Sequence, residues 1–168
     1  MTEKFKTLFF VKSSLISLYL ALTIPIPLIS VDTLRIPSVL IFVLGLYLII
    51  NITNDYVETC KDKISYKSNF ISKFLGKKTW EIPWKDIKLI KSLPTSQGSK
   101  VYYFITFGGQ EFLVPQRVEN IEEFYSLIQD RTGMQIEGIK YISPMWTYKL
   151  LTLISLFMII GEIISFLA

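Results

Sequence analysis

The amino-acid sequence predicts an α+β membrane protein in which three transmembrane helices accompany a small domain of antiparallel strands and one helix. Of its 168 residues, 51% are hydrophobic and only 19% are charged, and the mean hydropathy is +0.43. Soluble domains usually carry about a quarter charged residues. The apolar residues are concentrated in three long runs, and most charged residues lie between the second and third runs. The chain is therefore expected to sit partly in lipid.

The three apolar runs cover residues 13–31, 36–53 and 150–168. A bilayer core of about 30 Å needs roughly 20 helical residues, so each run is predicted to cross once. Residues 13–53 then form a helical hairpin after an N-terminal stretch, 1–12. A cleavable signal peptide is disfavoured because no small-x-small site follows the first run. Pro25 and Pro27 remove backbone donors, so we expect the first helix to bend or end near them.

Basic residues near the ends of the runs predict the topology, because cytoplasmic loops are enriched in lysine and arginine. Lysines precede the first run, follow the second and precede the third: Lys4, Lys6, Lys12, Lys61, Lys63, Lys67, Lys140 and Lys149. The connection between the first two runs offers only Arg35, which Asp32 opposes. We expect a cytoplasmic N-terminus and middle region and a C-terminus on the opposite side, in a bacterial inner or thylakoid membrane. Trp146, Tyr148 and Lys149 are expected to be interfacial anchors.

Residues 54–133 are predicted to form a domain of six short strands and one helix. Alternating apolar and polar residues mark the strands at 56–60, 64–70, 79–84, 87–93, 101–107 and 110–114. Pro83 indicates a strand end or an edge strand, and Gly108-Gly109 a two-residue hairpin loop. Cys60 is expected to be a small buried hydrophobe. The strand aromatic residues are expected to form core: Trp80, Trp84, Tyr102, Phe104 and Phe107.

The predicted helix begins after Asn120, which with Glu123 has the spacing of a capping box. Its apolar face is formed by Ile121, Phe124, Leu127 and Ile128. Gly133 is expected to end it, because a left-handed residue closes many helices. Residues 134–149 then form a linker and interfacial belt that lead to the third span, 150–168.

Six antiparallel strands followed by a helix is the element order of a pleckstrin-homology-like (PH-like) domain, a bent sheet plugged at one end by a helix. The segment Trp80–Ser92 resembles one in membrane-anchored bacterial PH-like proteins. The layout is similar to the photosystem I assembly factor family of cyanobacteria and chloroplasts, in which two N-terminal spans precede a cytoplasmic PH-like domain; the C-terminal span here is an addition. The similar stretches are Gly45–Asn51 leading into Asp55-Tyr56, Phe74–Lys78 and Met134–Ile139. The resemblance implies a PH-like domain, here inserted between spans two and three, and a role in assembling a membrane complex.

Composition argues against an enzyme. Histidine is absent and Cys60 is the one cysteine, which excludes disulfides within the chain, Cys/His zinc sites and histidine-dependent nucleophile systems. The acidic residues Asp55, Glu58 and Asp62 are close in sequence, but residues 55 and 58 lie on opposite faces of a strand. No Gly-rich phosphate loop is present. We therefore expect no catalytic residue, no cofactor, no metal and no nucleic-acid partner.

Charge is unevenly distributed within the middle region. Between residues 61 and 100, ten lysines face three acidic residues, whereas residues 101–140 hold three basic and six acidic residues. The lysines Lys73, Lys77 and Lys78 lie among the apolar residues Phe70, Phe74 and Leu75. If the domain sits on anionic lipid headgroups, this loop is the candidate contact, since apolar side chains can enter the bilayer while ammonium groups remain at phosphate level. The alternative is that these lysines only keep the domain soluble and cytoplasmic.

Glu162 lies inside the third apolar run. A carboxylate at that depth is costly and usually faces protein or water. It is expected either to contact a partner subunit within the membrane or to carry a proton; the alternative is that it reaches the outer interface or stays neutral. The small residues Gly45 and Gly161 are expected to pack against the same partner.

The function predicted from these features is binding without catalysis. The cytoplasmic domain is expected to dock protein partners through a sheet edge or the helix 121–132, as an accessory or assembly factor of a membrane complex, with photosynthetic complexes as candidates. Its partners would be subunits of that complex. The alternative is an anionic-lipid-sensing membrane module that uses the basic loop.

Overall fold

A computed structural model of the chain describes residues 2–96, 98–136 and 141–167. The elements are β1 (Glu3–Lys6), α1 (Phe9–Thr23), α2 (Pro25–Ile29), α3 (Asp32–Ile52), β2 (Tyr56–Thr59), β3 (Lys63–Lys67), α4 (Phe70–Phe74), β4 (Trp80–Pro83), β5 (Ile87–Pro94), β6 (Lys100–Thr106), β7 (Glu111–Leu113), α5 (Ile121–Thr132) and α6 (Met145–Leu167). Part of the predicted linker, including Lys140 and the end of the Met134–Ile139 stretch, lies outside the described residues.

The chain divides into two compact units. The first, called here the sheet unit, combines the residues up to Leu8 with Asn54–Pro144. The second, the helix unit, comprises Phe9–Thr53 and the residues from Met145 onward. This division confirms the mixed α+β prediction and assigns the apolar and the charged parts of the sequence to separate units.

Among the described residues, the helix unit holds three helical stretches long and apolar enough to cross a membrane: Phe9–Ile29, Asp32–Ile52 and Met145–Leu167. The first is divided, since α1 ends at Thr23 and α2 starts at Pro25. Proline has no N–H to continue the helical ladder, and the break falls where the two prolines predicted it. No residue of α3 is buried, so its apolar surface is available to lipid or to another protein.

Small residues form the buried seam of the helix unit, where α1 packs against α6. Apart from Val11, the buried residues of α1 are Ser14, Ser17 and Ala21, and that of α6 is Ser155. Small side chains let helix backbones approach closely where no hydrophobic effect drives association. The Ser14 hydroxyl donates to the Val11 carbonyl oxygen at 3.0 Å and the Ser155 hydroxyl to that of Leu151 at 2.8 Å. The buried serines therefore satisfy their own polar groups within their helices.

The hairpin of α1 and α3 is held by one close contact. The Tyr19 hydroxyl donates to the carbonyl oxygen of Phe42 at 2.7 Å, and the two rings stack with centroids 5.8 Å apart. A Cβ atom at Gly45 would lie 2.9 Å from Cζ of Tyr19. Gly45, expected to contact a partner subunit, thus contacts its own chain; at Gly161 a Cβ would have nothing within 4 Å.

The sheet unit contains two antiparallel sheets, one ordered β1-β2-β3-β4 and one ordered β5-β6-β7. The sequence does not predict strand β1, because its four residues belong to a short N-terminal stretch before the first apolar run. It pairs with β2 in the register Glu3↔Thr59 to Lys6↔Tyr56. The first strand and the rest of its sheet are thus separated in sequence by the whole helical hairpin. Pro83 ends β4 at the sheet edge, as predicted.

The core of the sheet unit lies between the sheets and α5. Ile121, Phe124 and Ile128 are buried and Leu127 is partly buried, which confirms the predicted helix face. Phe5 of β1 packs against Phe124 with ring centroids 5.0 Å apart. Gly133 ends α5 with φ +69°, and its N–H donates to Gln129 at 2.8 Å. Helix α5 therefore ends at a glycine with left-handed backbone angles, as the sequence predicted.

Two local secondary-structure predictions were wrong. Residues 70–74, predicted as the end of a strand and the start of a loop, form the short helix α4. The Gly108-Gly109 hairpin has a three-residue loop: the Thr106 N–H donates to Gln110 at 3.0 Å, and Gly109 alone of the glycine pair has positive φ. A turn followed by one left-handed residue is the common three-residue solution.

Three side-chain predictions also require correction. Asn120 does not cap α5, since its backbone is left-handed and its amide donates to the Glu123 carboxylate at 3.2 Å. Phe107, expected in the core, lies in the β6–β7 loop and is 72% exposed. Cys60 is only partly buried and lies one residue beyond β2. The predicted core residues Phe104, Tyr102 and Trp84 are buried.

Candidate functional site

An apolar groove of about 700 Å³, called here the edge groove, lies in the sheet unit. It lies between β4 and β7, each of which is the outermost strand of its sheet. Its lining is formed by Tyr66, Lys77, Lys78, Thr79, Trp80, Gln110, Glu111, Phe112, Leu113 and Pro115. Edge strands present unpaired backbone N–H and C=O groups, so an apolar groove between two of them is suited to an extended chain.

Trp80 forms the aromatic wall of the edge groove and is held by three neighbours. Its ring stacks on Tyr66 with centroids 6.0 Å apart and meets the edge of Phe104 at 5.9 Å. Phe112 packs against it from β7 at 5.7 Å. These three neighbours lie on β3, β6 and β7, and their packing fixes the Trp80 indole in one orientation. A fixed aromatic surface is a favourable binding surface, because little side-chain entropy is lost when a partner packs on it.

A buried carboxylate lies beside the groove. The Asp55 side chain is 5% exposed, and its Oδ2 is 2.6 Å from Nζ of Lys77. The Tyr66 hydroxyl donates to the same oxygen at 2.8 Å. Burial, together with this bond to a carboxylate, raises the pKa of Tyr66 well above its usual value. Oδ1 of Asp55 is buried and has no hydrogen-bond partner among the described residues.

The Asp55 contact changes the interpretation of the predicted lipid-contact lysines. Lys77 directs its ammonium group to a buried carboxylate, whereas Lys73 and Lys78 are exposed. The sequence did not indicate this pair, because the two residues are 22 positions apart and belong to different elements. The sequence groups Asp55 with Glu58 and Asp62, but the Glu58 carboxylate lies 3.8 Å from Nζ of Lys4.

The predicted lipid-contact residues belong to a surface called here the basic–aromatic segment, residues 70–78. Phe70 and Phe74 are each 83% exposed and Leu75 is 59% exposed. Ser72, on the other side of α4, is buried. Gly76 has φ +88° and turns the chain after the helix. The structure thus brings the predicted apolar residues together on one exposed surface.

A second concavity, of about 810 Å³, lies at the opposite end of β2 and β3 from Asp55. Lys61, Lys63, Lys85 and Arg131 contribute to its lining, as does Asp62. Lys63 is already paired with Glu81 at 2.7 Å, a contact that raises the pKa of Lys63 and lowers the pKa of Glu81. This concavity is therefore a solvated and partly neutralised surface.

The remaining predicted site residues lie in the helix unit. Trp146 is exposed near the start of α6, and Nζ of Lys149 lies 5.1 Å from the ring centroid of Phe10. The starts of α1 and α6 are therefore adjacent. Glu162 is partly buried, and its Oε2 has no hydrogen-bond partner among the described residues.

Comparison with known proteins gives one informative relative. The chain is 29% identical over 150 residues to slr0269 of the cyanobacterium Synechocystis sp., which is described only as an uncharacterized protein. The match covers 85% of this chain and 75% of that protein. No family model matches the sequence, and no solved structure matches it. The relative adds a cyanobacterial connection and assigns no activity.

Proposed function

We propose that this chain is a non-enzymatic, multi-pass membrane protein whose sheet unit is a PH-like domain that docks protein partners. The observation that carries the proposal is the edge groove between β4 and β7. Its apolar and aromatic lining and its two free strand edges match an extended peptide, which adds a strand to a sheet through backbone hydrogen bonds.

The topology of the sheets supports the PH-like assignment. Sheets of four and three antiparallel strands are followed by one helix that packs on the core. The unpredicted strand β1 adds a seventh strand to the six on which the resemblance rested. The absence of histidine from the sequence supports a binding role over a catalytic one.

Chain connectivity supports one orientation in the membrane. Because β1 pairs with β2, the N-terminal residues and the sheet unit must lie on the same side of any bilayer that the hairpin enters. Lysines before α1 and throughout the sheet unit favour the cytoplasmic side for both. An odd number of spans then places the C-terminus opposite. The proposed membrane is a bacterial inner or thylakoid membrane.

We further propose that the protein acts as an accessory or assembly factor of a membrane complex, with photosynthetic complexes as candidates. The apolar helix α3, none of whose residues is buried, offers a surface to subunits of such a complex. Glu162 is the candidate intramembrane contact, since a partly buried carboxylate oxygen without a partner would gain from a donor on another subunit.

The groove is tested by co-purification from native membranes in a mild detergent. Leu113→Lys places a charge on β7 in the groove, and Leu93→Lys makes the same change at another exposed leucine of the same sheet, on β5. We expect the first variant to lose its co-purifying proteins and the second to retain them. Equal recovery with both variants would contradict docking in the groove, and a wild-type protein that elutes alone would contradict the accessory role.

Glu162 is tested in the same assay. We expect Glu162→Leu to reduce recovery of the membrane-embedded partner, and Ser165→Leu, one turn further along α6, to leave it unchanged. Unchanged recovery and growth with Glu162→Leu would remove the intramembrane contact from the proposal.

A further inference from the structure

The basic–aromatic segment exposes several large apolar side chains that are close together in sequence. Phe70 and Phe74, 83% exposed, and Leu75, 59% exposed, lie within six consecutive residues. Scattered exposed apolar residues are ordinary, but a contiguous group of large ones marks an interaction surface. Residues 70–78 contain four aromatic or aliphatic side chains, three lysines and no acidic residue, so the surface is both apolar and positively charged.

The position of the basic–aromatic segment restricts the kind of partner that it can contact. Nζ of Lys77 is bound to Oδ2 of Asp55 at 2.6 Å, and Asp55 follows the last residue of α3 by three positions. Three residues span at most about 10 Å. The Thr7 hydroxyl donates to the Asp55 carbonyl oxygen at 2.8 Å, and Thr7 precedes α1 by two positions. The segment is thus tied to the two points at which the chain leaves the sheet unit for the apolar hairpin.

We propose that the basic–aromatic segment is a bilayer contact, in which Phe70, Phe74 and Leu75 enter the interface of an anionic membrane and Lys73 and Lys78 lie at phosphate level. The proposal rests on the membrane insertion of the hairpin but not on protein docking in the edge groove. Apolar side chains flanked by lysines are the pattern of interfacial anchors. Lysines near an anionic surface are attracted to it over about one Debye length.

Lys77 has a different role in this proposal. Its bond to Asp55 fixes the segment relative to the start of β2. The phenylalanines are therefore presented from a rigid position instead of a free loop. The membrane spans also tether this segment to the bilayer and raise the effective concentration of lipid around it. A small apolar surface is therefore enough for binding.

Depth measurement on the full chain in nanodiscs tests the contact. A cysteine introduced as Phe74→Cys on a Cys60→Ala background carries an environment-sensitive fluorophore, and Glu122→Cys, on the exposed side of α5, carries the same fluorophore as control. In nanodiscs of phosphatidylcholine with phosphatidylglycerol, we expect spin-labelled lipid to quench position 74 at least twofold more than position 122. Equal quenching at both positions would overturn the proposal.

A second measurement avoids labelling the contact itself. Trypsin cleavage after Lys73 and Lys78 is expected to be slower by several-fold in anionic nanodiscs than in detergent. Phe70→Ser with Phe74→Ser should abolish that protection, whereas Phe107→Ser, an equally solvent-facing phenylalanine in the β6–β7 loop, should preserve it. Protection that requires added membrane proteins instead of lipid would overturn the proposal in favour of a protein partner.

Alkaline carbonate extraction separates failure of this contact from failure of membrane insertion. If the full chain stays in the membrane pellet but position 74 is not quenched, the bilayer contact alone is wrong. If carbonate releases the chain, both the contact and the integral membrane assignment are wrong.

Discussion

Lys77 places its ammonium nitrogen 2.6 Å from Oδ2 of Asp55, a carboxylate that is 5% exposed. A buried charge that loses its partner is strongly destabilising, but the Lys77 side chain is 41% exposed, so water can compensate in part. We expect Lys77→Gln to lower the free energy of unfolding by about 1–3 kcal/mol.

The matched control for Lys77 is Lys78→Gln, which changes the neighbouring exposed lysine and is expected to have little effect. Asp55→Asn combined with Lys77→Gln should recover part of the loss, because no carboxylate is then buried alone. Urea unfolding of the detergent-solubilised protein, followed by tryptophan fluorescence, measures all three variants. Equal stability of both single lysine variants would show that the pair contributes nothing.

Tyr125 makes stability depend on alkaline pH. Its hydroxyl is buried without a hydrogen-bond partner among the described residues, and burial, followed by the nearby Tyr102, raises its pKa. The folded state therefore keeps this proton above pH 10, where an unfolded tyrosine loses it. This tyrosine therefore leaves the free energy of unfolding unchanged below about pH 10. Above that pH the free energy of unfolding falls by up to about 1.4 kcal/mol per pH unit for each such tyrosine.

Tyr125→Phe removes both the unsatisfied hydroxyl and this titration. We expect unchanged or higher stability at pH 8, by up to about 1 kcal/mol, and a shallower fall between pH 10 and 12. Tyr66, whose pKa is also raised, remains in the variant and preserves part of the fall. Thermal unfolding at a series of pH values measures the effect, and a large loss of stability at pH 8 would contradict it.

Packing of α1 against α3 requires a residue without a side chain at position 45. The added methyl group of Gly45→Ala would overlap the Tyr19 ring, which must then move and lose its bond to Phe42. We expect a loss of about 1–2 kcal/mol, the usual range for overpacking. Gly161→Ala is the control, since nothing lies within 4 Å of its Cβ position. Thermal unfolding in detergent compares the two variants, and equal midpoints would contradict the contact.

The pairing of β1 with β2 can be trapped by oxidation. Oγ1 of Thr2 lies 3.7 Å from Sγ of Cys60, so Thr2→Cys is expected to form a disulfide with Cys60 after small backbone adjustment. Lys6→Cys, at the other end of β1, should not. Loss of maleimide labelling after oxidation reports the bond. If both variants remain reactive, the first strand is not paired as described.

Sequence patterns located the elements whose residues interact locally. The face of α5 repeats apolar residues every three or four positions, and Gly133 marks its end. The three apolar helices follow from run length alone, and the break after Thr23 from two prolines. Each of these features depends on residues within a few positions of one another.

The features that were missed depend on distant residues. Strand β1 has one buried residue, Phe5, between two exposed lysines, and its partner Val57 lies beyond the hairpin. The edge groove forms only when Trp80 and Phe112 meet. The alternation at 64–70 suggested one long strand, but the chain leaves the sheet after Lys67. Only Lys4-Phe5-Lys6 carried a weak local signal of a strand.

The position of β1 also determines the order in which the protein can be completed during synthesis. The ribosome releases β1 first, and its partner strand emerges only after both helices of the hairpin. Until then Phe5 has no core to join, and β1 stays open to wrong pairing. Under the proposed membrane insertion, β1 can pair with β2 only when the hairpin returns to the side on which it started. A hairpin that crossed only once would leave the two strands on opposite sides and the sheet unit incomplete.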